Sequence, residues 1–130
     1  MGLEVWTGEK VHFNKLDVTK TILVSFRDNV EDLQKVIDDM DEDQQKKVIA
    51  YADAVDDDLG YAVHDVLQYD EDMLLHEGMT MVEFVEEMVD EGLYGDVYDS
   101  LKPYIDFNKM ADDLECDGYW EYEGGVFEWL

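Results

Sequence analysis

An α+β fold follows from three features of the 130-residue sequence. Residues 18–26 (VTKTILVSF) form a β-branched run with the composition of a strand. Apolar residues then recur at helical spacing from Val30 to Leu114, and Gly124-Gly125 divides two strand-like segments near the end. The chain is 46% apolar, with 8 Tyr, 5 Phe and 3 Trp, which is enough to bury a core in one domain or in two small subdomains sharing it. Disordered acidic chains are poor in such residues, so a folded chain is expected.

In order along the chain, Glu4-Val5-Trp6 and residues 18–26 read as two or three short strands, a small N-terminal sheet. The period changes at Asp28. Asn29 is placed to cap a helix carrying Val30, Leu33, Val36, Ile37 and Met40. After Asp41 a second helix carries Val48, Ile49, Ala52 and Val55, and the two are expected to be antiparallel. The acids Asp56-Asp57-Asp58 suit the positive end of a helix dipole, so a third helix over about residues 59–67 starts from Asp58 as its cap. Thr80 and Glu83 make a capping box ahead of Met81, Val82, Val85, Met88 and Val89, in a helix that ends at Gly92. Pro103 interrupts what precedes it, and Asp106 caps a last helix with Phe107, Met110, Ala111 and Leu114 inward, stopping at Asp117-Gly118. Residues 119–123 and 126–129 form a hairpin across the two glycines. Three regions result: N-terminal strands over 1–27, acidic helices over 28–79, and an α+β region over 80–130. No Pro/Gly/Ser linker or internal repeat separates them.

The composition holds 35 Asp+Glu against 9 Lys+Arg, a formal charge of −26 and a pI of about 4.1. A chain this acidic is repelled by nucleic acid and by anionic lipid, which excludes direct binding to either and calls for a basic partner. The acidity is not uniform: residues 1–27 carry +1, residues 28–60 carry −9 and residues 61–130 carry −18. No apolar run approaches the ~18 residues of a membrane span, and the first ten residues lack the basic and apolar regions of a secretory signal. A cytoplasmic protein is expected. The single cysteine, Cys116, rules out an intramolecular disulfide and a cysteine zinc cage.

Catalytic and metal chemistry find little support. Asp113-x-Glu115-x-Asp117-Gly118 matches the early ligands of an EF-hand loop, but Gly124 stands where the bidentate Glu is required and a hairpin replaces the exiting helix. A helix C-cap explains the segment better. Any pair of carboxylates chosen from 35 as general acid and base is arbitrary without a pocket to separate their pKa values. His12, His64 and His76 are far apart and show no metal-ligand spacing. Cys116 has no basic neighbour to activate it, and no Gly-rich phosphate loop is present. The expectation is a protein with no catalytic residues, no metal and no cofactor.

The acidic surface remains. On the helix opening at Thr80, Met81, Val85 and Met88 make one stripe, while Glu83, Glu86, Glu87, Asp90 and Glu91 fall on the other face, with like charges every ~5–6 Å. Such pairs cost a few tenths of a kcal/mol each. Solubility asks only for a net charge of about 2–8 in magnitude, so −26 points to another use. A rigid polyanion imitates DNA: at one charge per ~1.7 Å of duplex axis, this charge equals about 13 base pairs or roughly 44 Å. One helix row is less dense than a DNA strand, so several helices or a dimer must cooperate.

The segment Phe84-Val85-Glu86-Glu87-Met88-Val89-Asp90-Glu91-Gly92-Leu93-Tyr94-Gly95-Asp96-Val97 resembles the antirestriction motif of ArdA proteins, with Val-Asp-Glu-Gly-Leu-Tyr-Gly-Asp as its specific core. The similarity continues through Leu101-Lys102-Pro103-Tyr104-Ile105-Asp106-Phe107, Met110-Ala111-Asp112-Asp113-Leu114 and the closing hairpin, covering about residues 80–130. Residues 29–67 are similar in character to the family's middle helical domain, and the first 27 residues read as shorter than its N-terminal domain. The resemblance implies an elongated, non-catalytic DNA mimic carried by a phage, plasmid or transposon. Such a mimic occupies the DNA-binding groove of type I restriction-modification enzymes in a bacterial cytoplasm. It further implies a homodimer through the C-terminal region, with Val89, Gly92, Leu93, Tyr94, Gly95, Val97 and Tyr98 as motif and dimer candidates.

The carboxylates expected to meet the partner are Glu83, Glu86, Glu87, Asp90, Glu91 and Asp96, followed by Asp38, Asp39, Asp41, Glu42, Asp56, Asp57 and Asp58. Two other readings stay open: an acidic inhibitor of another defence nuclease such as a CRISPR effector, and an acidic adaptor for a basic protein.

Overall fold

Val11 and Phe13 point inward between the exposed Lys10, His12 and Asn14, and this period of two makes a strand where the flanking Gly8, Glu9 and Lys10 weaken strand propensity. The structure is a computed structural model that describes residues 6–56, 58–93, 95 and 97–129. Strand β1 (Trp6–Phe13) pairs antiparallel with β2 (Val18–Ser25), with Val11 opposite Lys20 and Phe13 opposite Val18. The strand expected at Glu4-Val5-Trp6 is therefore corrected at its end, since the ladder continues to Phe13. Glu4 and Val5 themselves lie outside the described residues.

The chain divides into two units, Met1–Met73 and Leu74–Leu130. In the first, the hairpin is followed by α1 (Val30–Asp39), α2 (Glu42–Ala54) and α3 (Leu59–Tyr69). The two expected caps, Asn29 and Asp58, are present, and Asp41 caps α2 as well. The Asn29 side chain accepts from the Glu31 and Asp32 N–H groups, Asp41 forms a reciprocal box with Gln44, and Asp58 accepts from Gly60 N–H. The first two helices, expected as an antiparallel pair, each have α3 as a partner. With only Met40 and Asp41 between them, both in extended conformation, α1 and α2 pack on α3 rather than chiefly on one another. Helix α1 also covers β1, and α3 covers β2. Val11, Phe13, Ile37, Val48, Leu59 and Val66 are fully buried.

Gln45, also fully buried, ties the hairpin to the helices. Its Oε1 accepts from Lys15 N–H at 3.0 Å, and its Nε2 donates to Asn14 Oδ1 at 2.6 Å and to the Ile37 carbonyl at 2.8 Å. Lys47 is the one buried cation among the described residues. Its ammonium donates to Asp70 at 2.6 Å and meets Asp43 at 2.7 Å.

The second unit contains most of β3 (Met73–Glu77), then α4 (Met81–Asp90), α5 (Phe107–Leu114), β4 (Tyr119–Tyr122) and β5 (Gly125–Trp129). The expected terminal hairpin is present, but its turn is Glu123-Gly124, because Gly125 already pairs with Tyr122. A third strand joins it in the order β3-β5-β4. Residues 73–77 (MLLHE) hold no β-branched or strand-favouring aromatic residue, so this strand is imposed by its partner rather than by propensity. A Cβ at Gly125 would collide with the His76 carbonyl, which makes this glycine a condition for the close approach of β3. Helix α4 packs on α5 and β5 around Met81, Phe84, Val85, Ala111, Leu114 and Val126.

Candidate functional site

Helix α4 and its C-cap present a row of five carboxylates on one face. The helix starts where Thr80 Oγ1 accepts from Glu83 N–H at 3.2 Å and Glu83 Oε1 accepts from Thr80 N–H at 3.1 Å. Burying Met81, Phe84, Val85 and Val89 leaves Glu83, Glu86, Glu87, Asp90 and Glu91 exposed, as the periodicity requires. The five are not equivalent. Glu83 is spent on the cap. Asp90 lies 2.8 Å from Lys102 Nζ, and hydrogen bonds to Asp90 and then Asp99 raise that ammonium above its ordinary pKa. Glu86, Glu87 and Glu91 have no ion pair among the described residues, so their charge is open to a partner.

The acids of the first unit differ in the same way. Asp39 is exposed. Asp38 is half-buried and accepts from Gln34 Nε2 at 2.9 Å. Asp41 is exposed while its Oδ1 caps α2, and Glu42 sits 3.6 Å from Lys46. Asp56 is exposed and accepts from Asp58 N–H at 3.0 Å, and Asp57 lies outside the described residues. Asp58 is a correction. It is 6% exposed, its backbone bridges to Leu23 of β2, and its carboxylate caps α3, so it belongs to the fold and not to an outer surface. Burial raises its pKa, Gly60 N–H opposes that, and the neighbouring Asp28 and Asp56 add to it.

Within the motif, Val89 is likewise corrected as a dimer candidate, being 4% exposed in its own chain. Gly92 has φ +78°, its N–H donates to Val89 O at 3.1 Å, and Leu93 N–H donates to Met88 O at 3.0 Å. That is a Schellman ending, which folds Leu93 back over Met88. Gly95, at φ +93°, closes a further turn onto Gly92 O. Leu93 and Tyr98 are exposed and Val97 is half-buried, while Tyr94 and Asp96 lie outside the described residues. Leu101 and Tyr104, which periodicity did not single out, are exposed apolar neighbours in sequence, 53% and 85% accessible. Among the described residues no group of His, Cys, Asp and Glu is arranged to hold a metal ion, and no helix is long and apolar enough to cross a membrane.

The family model described as Antirestriction protein (ArdA) matches residues 9–128. The chain belongs to the ArdA antirestriction family. The match takes in both units, so the ArdA assignment covers the acidic helices of residues 29–67 as well as the motif that carries the resemblance. No curated protein matches the sequence. ArdA membership makes this an antirestriction protein and implies interaction with restriction enzymes.

Proposed function

We propose that this ArdA chain is a non-catalytic DNA mimic that inhibits type I restriction-modification enzymes by occupying their DNA-binding groove. The observation that carries the reading is the exposed row Glu86, Glu87 and Glu91, without an ion pair among the described residues, on a helix whose opposite face is core, within a chain of charge −26. Carboxylates fixed by a packed helix can meet the Lys and Arg side chains that otherwise contact phosphates, and the opposite potentials speed association. The working form we propose is a homodimer in the bacterial cytoplasm, encoded by a mobile element and assembled through the C-terminal region around the exposed Tyr98.

The test is cleavage of unmodified DNA by a purified type I enzyme with and without the protein, titrated with excess cognate DNA. Relief by DNA is expected. Surface pairs are each worth at most about 1 kcal/mol, so reversing Glu86 alone should change inhibition only a few-fold, whereas neutralising Glu83, Glu86, Glu87, Asp90 and Glu91 together should abolish it. Inhibition that excess DNA does not relieve would move the site off the DNA groove and favour the adaptor reading. A folded sample inactive on several type I enzymes would favour another defence nuclease.

A further inference from the structure

Building on that reading, we propose that the C-terminal unit holds a receptor for one arginine side chain of the target's basic surface, in a cavity of about 410 Å3 beside α4. Its least exposed lining residue is Phe84, 7% exposed. The rings of His76 and Tyr119 lie 4.5 and 5.6 Å from that of Phe84, both tilted against it. Half-buried Met79 and Met88 complete the apolar lining, and thioether side chains adapt readily to an incoming group. Leu93, 64% exposed, stands at the mouth, held there by the Gly92 turn.

The charge on the lining is one-sided. Glu87 and Glu91 are one helical turn apart, exposed, and without an ion pair among the described residues. Glu128 is the third carboxylate, and it holds the His76 ring at 3.1 Å. An anion is disfavoured by three carboxylates, and an uncharged apolar group would leave two of them beside it without compensation. An arginine meets both demands. Its methylene stem covers apolar surface, its weakly hydrated planar head stacks on aromatic rings, and its fork of donors reaches paired carboxylates. The apolar walls also limit solvent screening, so this contact outweighs one made on the open helix face. The motif glycine then acts in recognition by fixing Leu93 as one wall of the receptor.

The test uses the full chain with 13C-labelled methionine methyls and N-acetyl-arginine methylamide as probe. The Met79 and Met88 methyls should shift saturably while Met40 in the other unit stays still. Glu87→Gln with Glu91→Gln should weaken the probe about tenfold, and Leu93→Ser should weaken it at unchanged charge. Asp112→Asn with Asp113→Asn, equal in charge but away from the cavity, should stay within about twofold. Equal affinity for the norleucine or lysine analogue would overturn the arginine assignment, and shifts spread over all methionines would overturn the site. The titration is separate from the cleavage assay. A chain that binds the probe but inhibits no type I enzyme keeps the receptor and loses the mimic reading; full inhibition without probe binding does the reverse.

Discussion

Asp58 shows how one carboxylate can be written in the sequence twice and serve only once. It stands at the end of an acidic triplet and at the start of a helix, and both readings are chemically sound. Its 6% exposure selects the cap. Burial raises its folded pKa above the unfolded value, here 3.8, and the neighbouring carboxylates add to that rise. The sign follows: whatever stability this group supplies is full below its unfolded pKa and is lost as pH rises through its folded pKa. Asp58→Asn keeps an N-cap acceptor without the charge, so its melting temperature at pH 7 should equal or exceed that of the wild type. The advantage should vanish as pH falls through the folded pKa. A variant less stable at pH 7 than at pH 4, relative to wild type, would contradict this account.

Helices were legible where local chemistry decides them. Asn29, Asp41, Asp58, Thr80 and Asp106 each cap the helix that follows, because an N-cap needs only its own side chain and the next three residues. Strand β3 was not legible, because its reason for existing, a glycine 125 that lets backbone come close, lies about fifty residues downstream. The α2–α3 packing was hidden for the same reason, since helix partners are set by burial across the unit. The candidate row on α4 could be read from its period of 3.6, whereas the cavity beside it joins β3, α4 and the hairpin and has no signature in any one segment. The Gly92 turn belongs to this scale. With φ +78°, Gly92→Ala should cost about 1–2 kcal/mol without touching any charge, measurable as a lower urea midpoint at unchanged m-value. An unchanged midpoint would show that the turn relaxes freely.

At the scale of the molecule, the net charge of −26 opposes any association between copies. A contact around exposed Tyr98 must therefore overcome repulsion in the proposed dimer. Sedimentation should show the dimer fraction rising between about 10 and 100 mM NaCl, as the Debye length falls from about 30 to 10 Å, and Tyr98→Asp should leave a monomer throughout. A mass independent of salt and of this substitution would place the contact elsewhere. The overall acidity and its sparing of the first 27 residues were plain in the sequence. The division between charges that are open and charges that are spent on caps and ion pairs was not, because it depends on where each side chain ends.

The Gln45 side chain also makes the Lys15 peptide a reporter. Lys15 is exposed in a hairpin turn, yet its amide hydrogen is held by an oxygen of a side chain with no solvent access, thirty residues further on. That hydrogen is released only when turn and helices come apart together. Its exchange with deuterium should match the slow core amides of β1 rather than the fast amides expected of a surface turn, and its rate would then measure the cooperative opening of the whole first unit.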